Sequence, residues 1–253
     1  MHPIIRLVNR NITISLNPGF LIWQIIFPLI YIFVAGFAYG SLINEVPFGS
    51  KDLDYPAFLA SGMIGFNIMN STLVSGIIIW NDRRNGMFEQ IMSGPFTRSH
   101  YILSNICTIG VIGLVSASLI ALVGYPVFFD SVEASIVTIP LIIFAAITGS
   151  VLFGSLASII STRLQSSEGF NVIINTVFLF FAFVSTAFYP AAGAPEPLRT
   201  IFYLNPLTYL VDVIRAGIFG NVTEFVIFEM ILLAIMASVL FIIASKLLTK
   251  LDF

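Results

Sequence analysis

The sequence predicts an all-α membrane protein with six transmembrane helices, and three observations carry the prediction. The first is composition: 58% of the 253 residues are apolar and only 9% are charged, against about 25% charged in ordinary soluble domains. The second is six charge-poor runs, each near the roughly 20 residues that one bilayer crossing requires. The third is an uneven distribution of lysine and arginine between alternate connections. A mean hydropathy of +1.00 leaves no material for a water-soluble enzyme. The length fits six spans and short loops as one membrane unit, 1-253, without a soluble domain. A net charge of -2 gives no basic field for nucleic acid. The single cysteine, Cys107, excludes an intramolecular disulfide and a cysteine metal cluster.

Residues 1-19 place Ile4, Val8, Ile12 and Leu16 at helical spacing, with Arg6, Arg10, Thr13 and Asn17 on the other side. That pattern predicts an amphipathic interfacial helix, with a disordered tail as the alternative. The six runs follow at about 20-43, 56-80, 102-124, 136-160, 170-189 and 225-245, interrupted only by Glu229 in the last. An even number of crossings puts both termini on one side. With the termini cytoplasmic, Arg6, Arg10, Arg83, Arg84, Arg98, Arg163, Lys246 and Lys250 lie inside, and only Lys51, Arg199 and Arg215 lie outside. Basic residues are retained on the cytoplasmic side, so this orientation is expected. Most acids, among them Asp130, Glu133, Asp212 and Glu224, then fall outside.

Two connections are more than turns. From Asn81 to Tyr101, Met87, Phe88, Ile91 and Met92 form one apolar stripe. They predict a short helix along the cytoplasmic membrane face, ended by Gly94 and Pro95. From Pro190 to Glu224, Pro190, Pro195, Pro197 and Pro206 break an apolar stretch into pieces near 198-204 and 207-219. Two placements are open for them: a re-entrant pair packed against the spans, or helices resting on the outer surface.

No Gly-x-x-x-x-Gly-Lys-Ser/Thr run is present, so ATP is not bound by that route. The two histidines and the absence of a paired carboxylate within a span argue against a metal or acid-base centre. Polar residues inside spans remain candidates, because buried polar groups in lipid must find partners. Asn67 and Asn70 in the second span, Asn171 and Asn175 in the fifth, and Glu229 in the last are candidates for a substrate path or dimer contact. Helix-to-helix hydrogen bonding is the plainer reading of the asparagines, and anchoring at the outer interface is the alternative for Glu229. The small residues Gly149, Ser150, Gly154, Ser155, Ala157 and Ser158 predict close helix packing.

Taken together, this arrangement resembles the ABC type-2 permeases, the membrane subunits of ATP-driven exporters, and the resemblance covers essentially the whole chain. Gly86, Glu89, Ile91, Pro95 and Arg98 resemble the G-x-x-E-x-L-x-x-x-P-x-x-R pattern of that family, with isoleucine in place of leucine. Asn205, Pro206, Tyr209, Asp212 and Arg215 resemble its NP-x-x-Y-x-x-D-x-x-R element, most closely that of drug and nodulation-factor exporters. The resemblance implies that Asp82 to Met92, including Arg83, Arg84 and Phe88, form a coupling helix that inserts into a separate ATPase subunit. It implies two ATPase copies supplying ATP and magnesium, with no cofactor bound by the chain itself. A second permease copy, identical or closely homologous, would complete the path in a prokaryotic cytoplasmic membrane. The Asn205 to Arg215 element would close the outward end. The alternative from another class is a stand-alone ion-coupled carrier or channel.

Overall fold

In lipid every backbone N–H and C=O must be satisfied within the protein, so charge-free runs of branched and aromatic residues fold as helices. The structure, a computed structural model, describes residues 3–16, 18–43, 45–49, 51–128, 138–164 and 166–249. Helices α1 (Pro3–Ser15) and α2 (Pro18–Gly40) are followed by a hairpin of β1 (Val46–Phe48) and β2 (Lys51–Leu53). Then come α3 (Tyr55–Arg84), α4 (Met87–Met92), α5 (Arg98–Phe128), α6 (Thr138–Arg163), α7 (Ser167–Phe183), α8 (Glu196–Leu204), α9 (Pro206–Phe219) and α10 (Glu224–Thr249). Asn17, Asp130, Glu133 and Lys250, together with the start of the fourth expected run, lie outside the described residues.

Among the described residues, five helices are long and apolar enough to cross a membrane: Leu21–Gly40 of α2, α3, Arg98–Leu122 of α5, α6 and α10. The fifth expected run, 170-189, is helical only to Phe183, and α7 has 17 residues. At 1.5 Å per residue it reaches about 26 Å, short of a hydrocarbon core of about 30 Å. The reason is visible at its end. The Asn205 amide donates to the carbonyls of Phe181 and Val184, and Arg215 donates to those of Thr186 and Ala187. Backbone acceptors that would have continued the helix are taken by side chains from α9.

Helix α3 is the centre of the bundle, packed against α2, α5, α6, α7 and α9. Helix α9 lies among α3, α6 and α10, and all its residues except Asp212 are buried. The piece expected near 207-219 is therefore enclosed by protein. The small residues of α6 allow this packing: Gly149 lies against Leu210 of α9, and Gly154 against Ile109 of α5. The hairpin, which the sequence did not signal, pairs Val46 with Leu53 and Phe48 with Lys51. It is fastened to the connection between α9 and α10 by Asn221 Nδ2, which donates to the Phe48 carbonyl at 2.7 Å.

Gly62 in α3 shows how close the approach is. A Cβ there would overlap the backbone carbonyl of Ala187, and a backbone group cannot swing aside as a side chain can. Gly62→Ala is expected to destabilise the folded protein by about 1–3 kcal/mol, the usual cost of overpacking. Thermal unfolding in detergent micelles measures it, and an unchanged midpoint would contradict the tight contact.

Candidate functional site

At one end of the bundle, α3 stops at Arg84 and the chain turns into α4. The turn depends on Gly86, which sits in the left-handed region at φ 66°, a conformation costing a residue with a side chain about 1–2 kcal/mol. The glycine thus breaks one helix from the next. The expected coupling segment from Asp82 to Met92 is therefore two elements: Asp82, Arg83 and Arg84 close α3, and the helix proper is Met87–Met92. Within α4, Phe88 and Ile91 are buried and join Leu7 of α1 and Tyr101 of α5 in a small apolar cluster. The Phe88 and Tyr101 rings meet edge to face at 5.0 Å. Glu89, Gln90 and Met87 are exposed on the opposite face, as is neighbouring Arg84. Of the expected stripe, Met87 is the member left outside.

The basic residues around α4 hold the bundle end together. Arg83 donates to the Ser161 carbonyl at 2.7 Å, and Arg98 to the Thr249 carbonyl at 2.7 Å. The Arg84 guanidinium lies 5.2 Å from the Trp80 ring centre. Pro95 is exposed between α4 and α5. At the start of α5, Thr97 Oγ1 accepts from the His100 N–H at 3.3 Å and His100 Nδ1 accepts from the Thr97 N–H at 3.3 Å. This reciprocal cap works in the manner of a capping box.

Asp82 faces inward rather than toward a partner. Both its oxygens accept from Arg10 of α1, and Tyr101 Oη donates to it at 3.1 Å. Next to them, Asn11 Nδ2 donates to Asn105 Oδ1 at 3.1 Å. Helix α1 thus buries Leu7 and Asn11, while Ile4, Val8, Ile12 and Leu16, the apolar stripe expected of an interfacial helix, are half-exposed. The hydrogen bond to Asp82, opposed by burial, holds the Arg10 guanidinium above its ordinary value. Its contribution is complete below the ordinary arginine range and is lost only as pH rises through the raised value, so the Arg10 guanidinium stays charged at working pH. The arrangement escaped sequence reasoning because Arg10 and Asp82 are far apart in the chain; the one available signal was an acid directly before two arginines.

At the other end of the bundle, the Asn205 to Arg215 element is a set of hydrogen-bond clasps. Asn205 caps α9, its Oδ1 accepting from the Leu207 N–H at 2.9 Å, while its amide closes the end of α7 as described above. Pro206 occupies the first turn, where its missing N–H costs nothing. Tyr209 Oη donates to the Tyr203 carbonyl and ties α9 to α8. Arg215 is only 1% exposed. It donates to Asp212 at 3.1 Å, to Ser61 Oγ at 3.2 Å, and to the carbonyls of Phe58 at 3.1 Å and Thr186 at 2.7 Å. Its guanidinium also lies 3.6 Å from the centre of the Phe58 ring. Asp212 accepts from Thr186 Oγ1 at 3.3 Å as well. Asp212 and Arg215, three residues apart on one face of α9, thus pair in the interior and not on a surface.

Beside this element lies a cavity of about 550 Å³ between the hairpin, α3, α8, α9 and α10. Glu229 lines it, is 0% exposed, and accepts no hydrogen bond at either carboxylate oxygen.

The family model of the ABC-2 type transporter matches residues 4–219. The chain belongs to the ABC-2 type transporter family. Among relatives of this ABC-2 chain, the transport permease ycf38 of Pyropia yezoensis is 32% identical over 222 residues, covering 83% of this chain and 72% of its own. The same-named protein of Porphyra purpurea is 28% identical over 202 residues, with 79% and 67% covered. Nodulation protein J of Rhizobium leguminosarum bv. viciae is 24% identical over 225 residues, with 88% and 84% covered.

Both motifs that carried the resemblance to ABC-2 permeases thus fall at helix junctions, one at each end of the bundle. The asparagines inside the helices divide. Asn67 is buried and donates to the Gln24 carbonyl at 3.3 Å and the Ser116 carbonyl at 3.5 Å, across helices as expected. Beside it Ser116 donates to Gln24 Oε1 at 2.5 Å. Asn70 is half-buried. Asn171 and Asn175 are exposed on α7, and Asn175 donates back to the Asn171 carbonyl at 2.8 Å within its own helix. The cross-helix bond expected for that pair is not formed within this chain.

Proposed function

We propose that this ABC-2 permease is the membrane half of an ATP-driven exporter, in which two copies of the chain, or the chain and a close homologue, pair with two separate ATPase subunits. ATP and magnesium are held by those subunits. The carrying observation is α4: a short helix at the bundle end, set off by Gly86, with Phe88 and Ile91 anchored on α1 and α5 and with Glu89, Gln90 and Arg84 exposed. An exposed polar face on a helix braced from behind suits docking into a groove of a soluble protein. Movement imposed on α4 would pass to α1 through the shared apolar cluster and through Asp82.

In this reading both termini and α4 lie on the cytoplasmic side of a prokaryotic cytoplasmic membrane. Helix α7 continues through 184–190 as a sixth, irregular crossing. Helices α8 and α9 form a re-entrant pair, where non-helical backbone is tolerated because protein surrounds it. The Asn205 to Arg215 element closes the outward end. The exposed apolar faces of α2, α7 and α10, together with Asn171 and Asn175, meet lipid and the second copy. The substrate is amphipathic, lipid-linked or drug-like.

The test is a complex of the permease with its ATPase subunit in proteoliposomes, with Glu89→Lys or Arg84→Glu introduced. Both residues are exposed, so insertion and unfolding midpoint should stay as in the parent. Transport-stimulated ATP hydrolysis should fall by at least about tenfold, as for a misplaced charge in a docked surface. Normal stimulation in both variants would overturn the coupling assignment. Glu229 favours one rival, since an ionisable residue in a span is a mark of ion-coupled carriers. That reading requires the chain alone, in liposomes, to move solute down an ion gradient.

A further inference from the structure

The cavity at the end of the bundle remote from α4 contains an unusual pair of unsatisfied groups. Glu229 sits in α10, wholly buried, and neither carboxylate oxygen receives a hydrogen bond. A buried carboxyl group left without a partner costs about 1–3 kcal/mol, and an ionisable residue within a span is a functional candidate by default. On the same cavity wall, Arg199 of α8 leaves its Nε–H without an acceptor. Its remaining nitrogens make only peripheral contacts, to the Ala192 carbonyl at 3.3 Å and to exposed Glu196 at 3.8 Å.

An idle acceptor and an idle donor therefore face one space. Asp212 and Arg215 are already paired with each other, which leaves Glu229 and Arg199 facing the space with unused hydrogen-bonding capacity. A hydroxyl group, which donates and accepts at one atom, satisfies both idle groups at once. Tyr203 and Phe225, edge to face at 6.3 Å, border the same space and offer apolar faces. A mostly apolar cavity with a few convergent polar groups is the ordinary make-up of a small-molecule site.

We propose that this cavity binds the neutral, hydroxyl-bearing head of an amphipathic molecule, with Glu229 accepting from a hydroxyl and Arg199 Nε–H donating to one. The site names a ligand class that the exporter reading leaves open. It is measured on the permease without an ATPase, so its failure is separable from failure of that reading.

The experiment is equilibrium binding of radiolabelled octyl glucoside, below its micelle concentration, to the purified chain in lipid nanodiscs, with partition into empty nanodiscs subtracted. Saturable binding is expected, weakened about tenfold or more in Glu229→Leu and in Arg199→Leu, since each strips one side of a hydroxyl's hydrogen bonds. Glu229→Gln, which keeps an acceptor oxygen, should stay within about threefold of the parent. Octylamine should compete poorly. Glu229→Leu replaces an uncompensated carboxylate by a side chain suited to the interior, so its unfolding midpoint should not fall. The proposal is overturned by the absence of a saturable component, by binding indifferent to both leucine variants, or by octylamine displacing the glucoside in parent but not in Glu229→Gln. The last result would assign the cavity to cations.

Discussion

Replacing Arg215 by leucine is expected to destabilise the protein by about 3–5 kcal/mol, the cost of breaking a buried ion pair from one side. The guanidinium serves five partners from three segments, the carbonyl of Ala187 among them. It neutralises Asp212 in α9, satisfies the carbonyls of Phe58 in α3 and Thr186 beyond α7, and bonds Ser61. Leucine leaves Asp212 and the carbonyls without this donor. Lysine should recover little, because a point charge cannot reproduce a planar fork directed at several carbonyls. The informative comparison is Asp212→Leu with Arg215→Leu, which removes the isolated charge and should recover more than half of the loss. Denaturant unfolding in mixed micelles gives these differences. A loss below about 1 kcal/mol for the single variant would mean that the pair behaves as a surface pair despite its burial.

The second large effect is expected at Asp82. Substitution by alanine removes the acceptor for Arg10 and Tyr101 together, at about 1.5–3 kcal/mol per charged hydrogen bond lost. The consequence should be local. Helix α1 packs on α5 with a minor contact on α3, so its release leaves the remaining bundle intact. Hydrogen exchange should show faster exchange of α1 amides with little change in α6 or α9. A double-mutant cycle with Arg10→Ala should give a coupling near the full single-variant effect. Independent, additive losses would show that α1 is held by its apolar contacts alone.

Much of the helical layout was legible. Charge-free runs give helix positions to within a few residues, because lipid permits little else, and Pro206 and the prolines before it punctuate α8 and α9 through a missing donor. Gly86 was readable as a motif glycine, though not as the left-handed break between α3 and α4. The end of α7 was not legible: nothing within 170-189 marks a stop, since the groups that end it, Asn205 and Arg215, are supplied from α9. The depth of α9 was equally hidden, because an apolar 14-residue helix suits a membrane surface as well as a protein interior. The partners of Asp82 were hidden for a related reason. A carboxylate among arginines looks like part of a charged docking face until α1 is seen lying across it.

What the sequence determined by itself was the solvent, the helical class, the positions of the two non-spanning connections and the motif residues within them. These follow from local quantities: hydropathy, periodicity and proline geometry. Only the tertiary structure decided that Asp82 and Arg215 are interior anchors, that Asn171 and Asn175 face outward, and that Glu229 lies on a cavity beside Arg199. Each of those facts depends on which helix lies opposite, and a buried charge takes its role from the partner that packing brings to it.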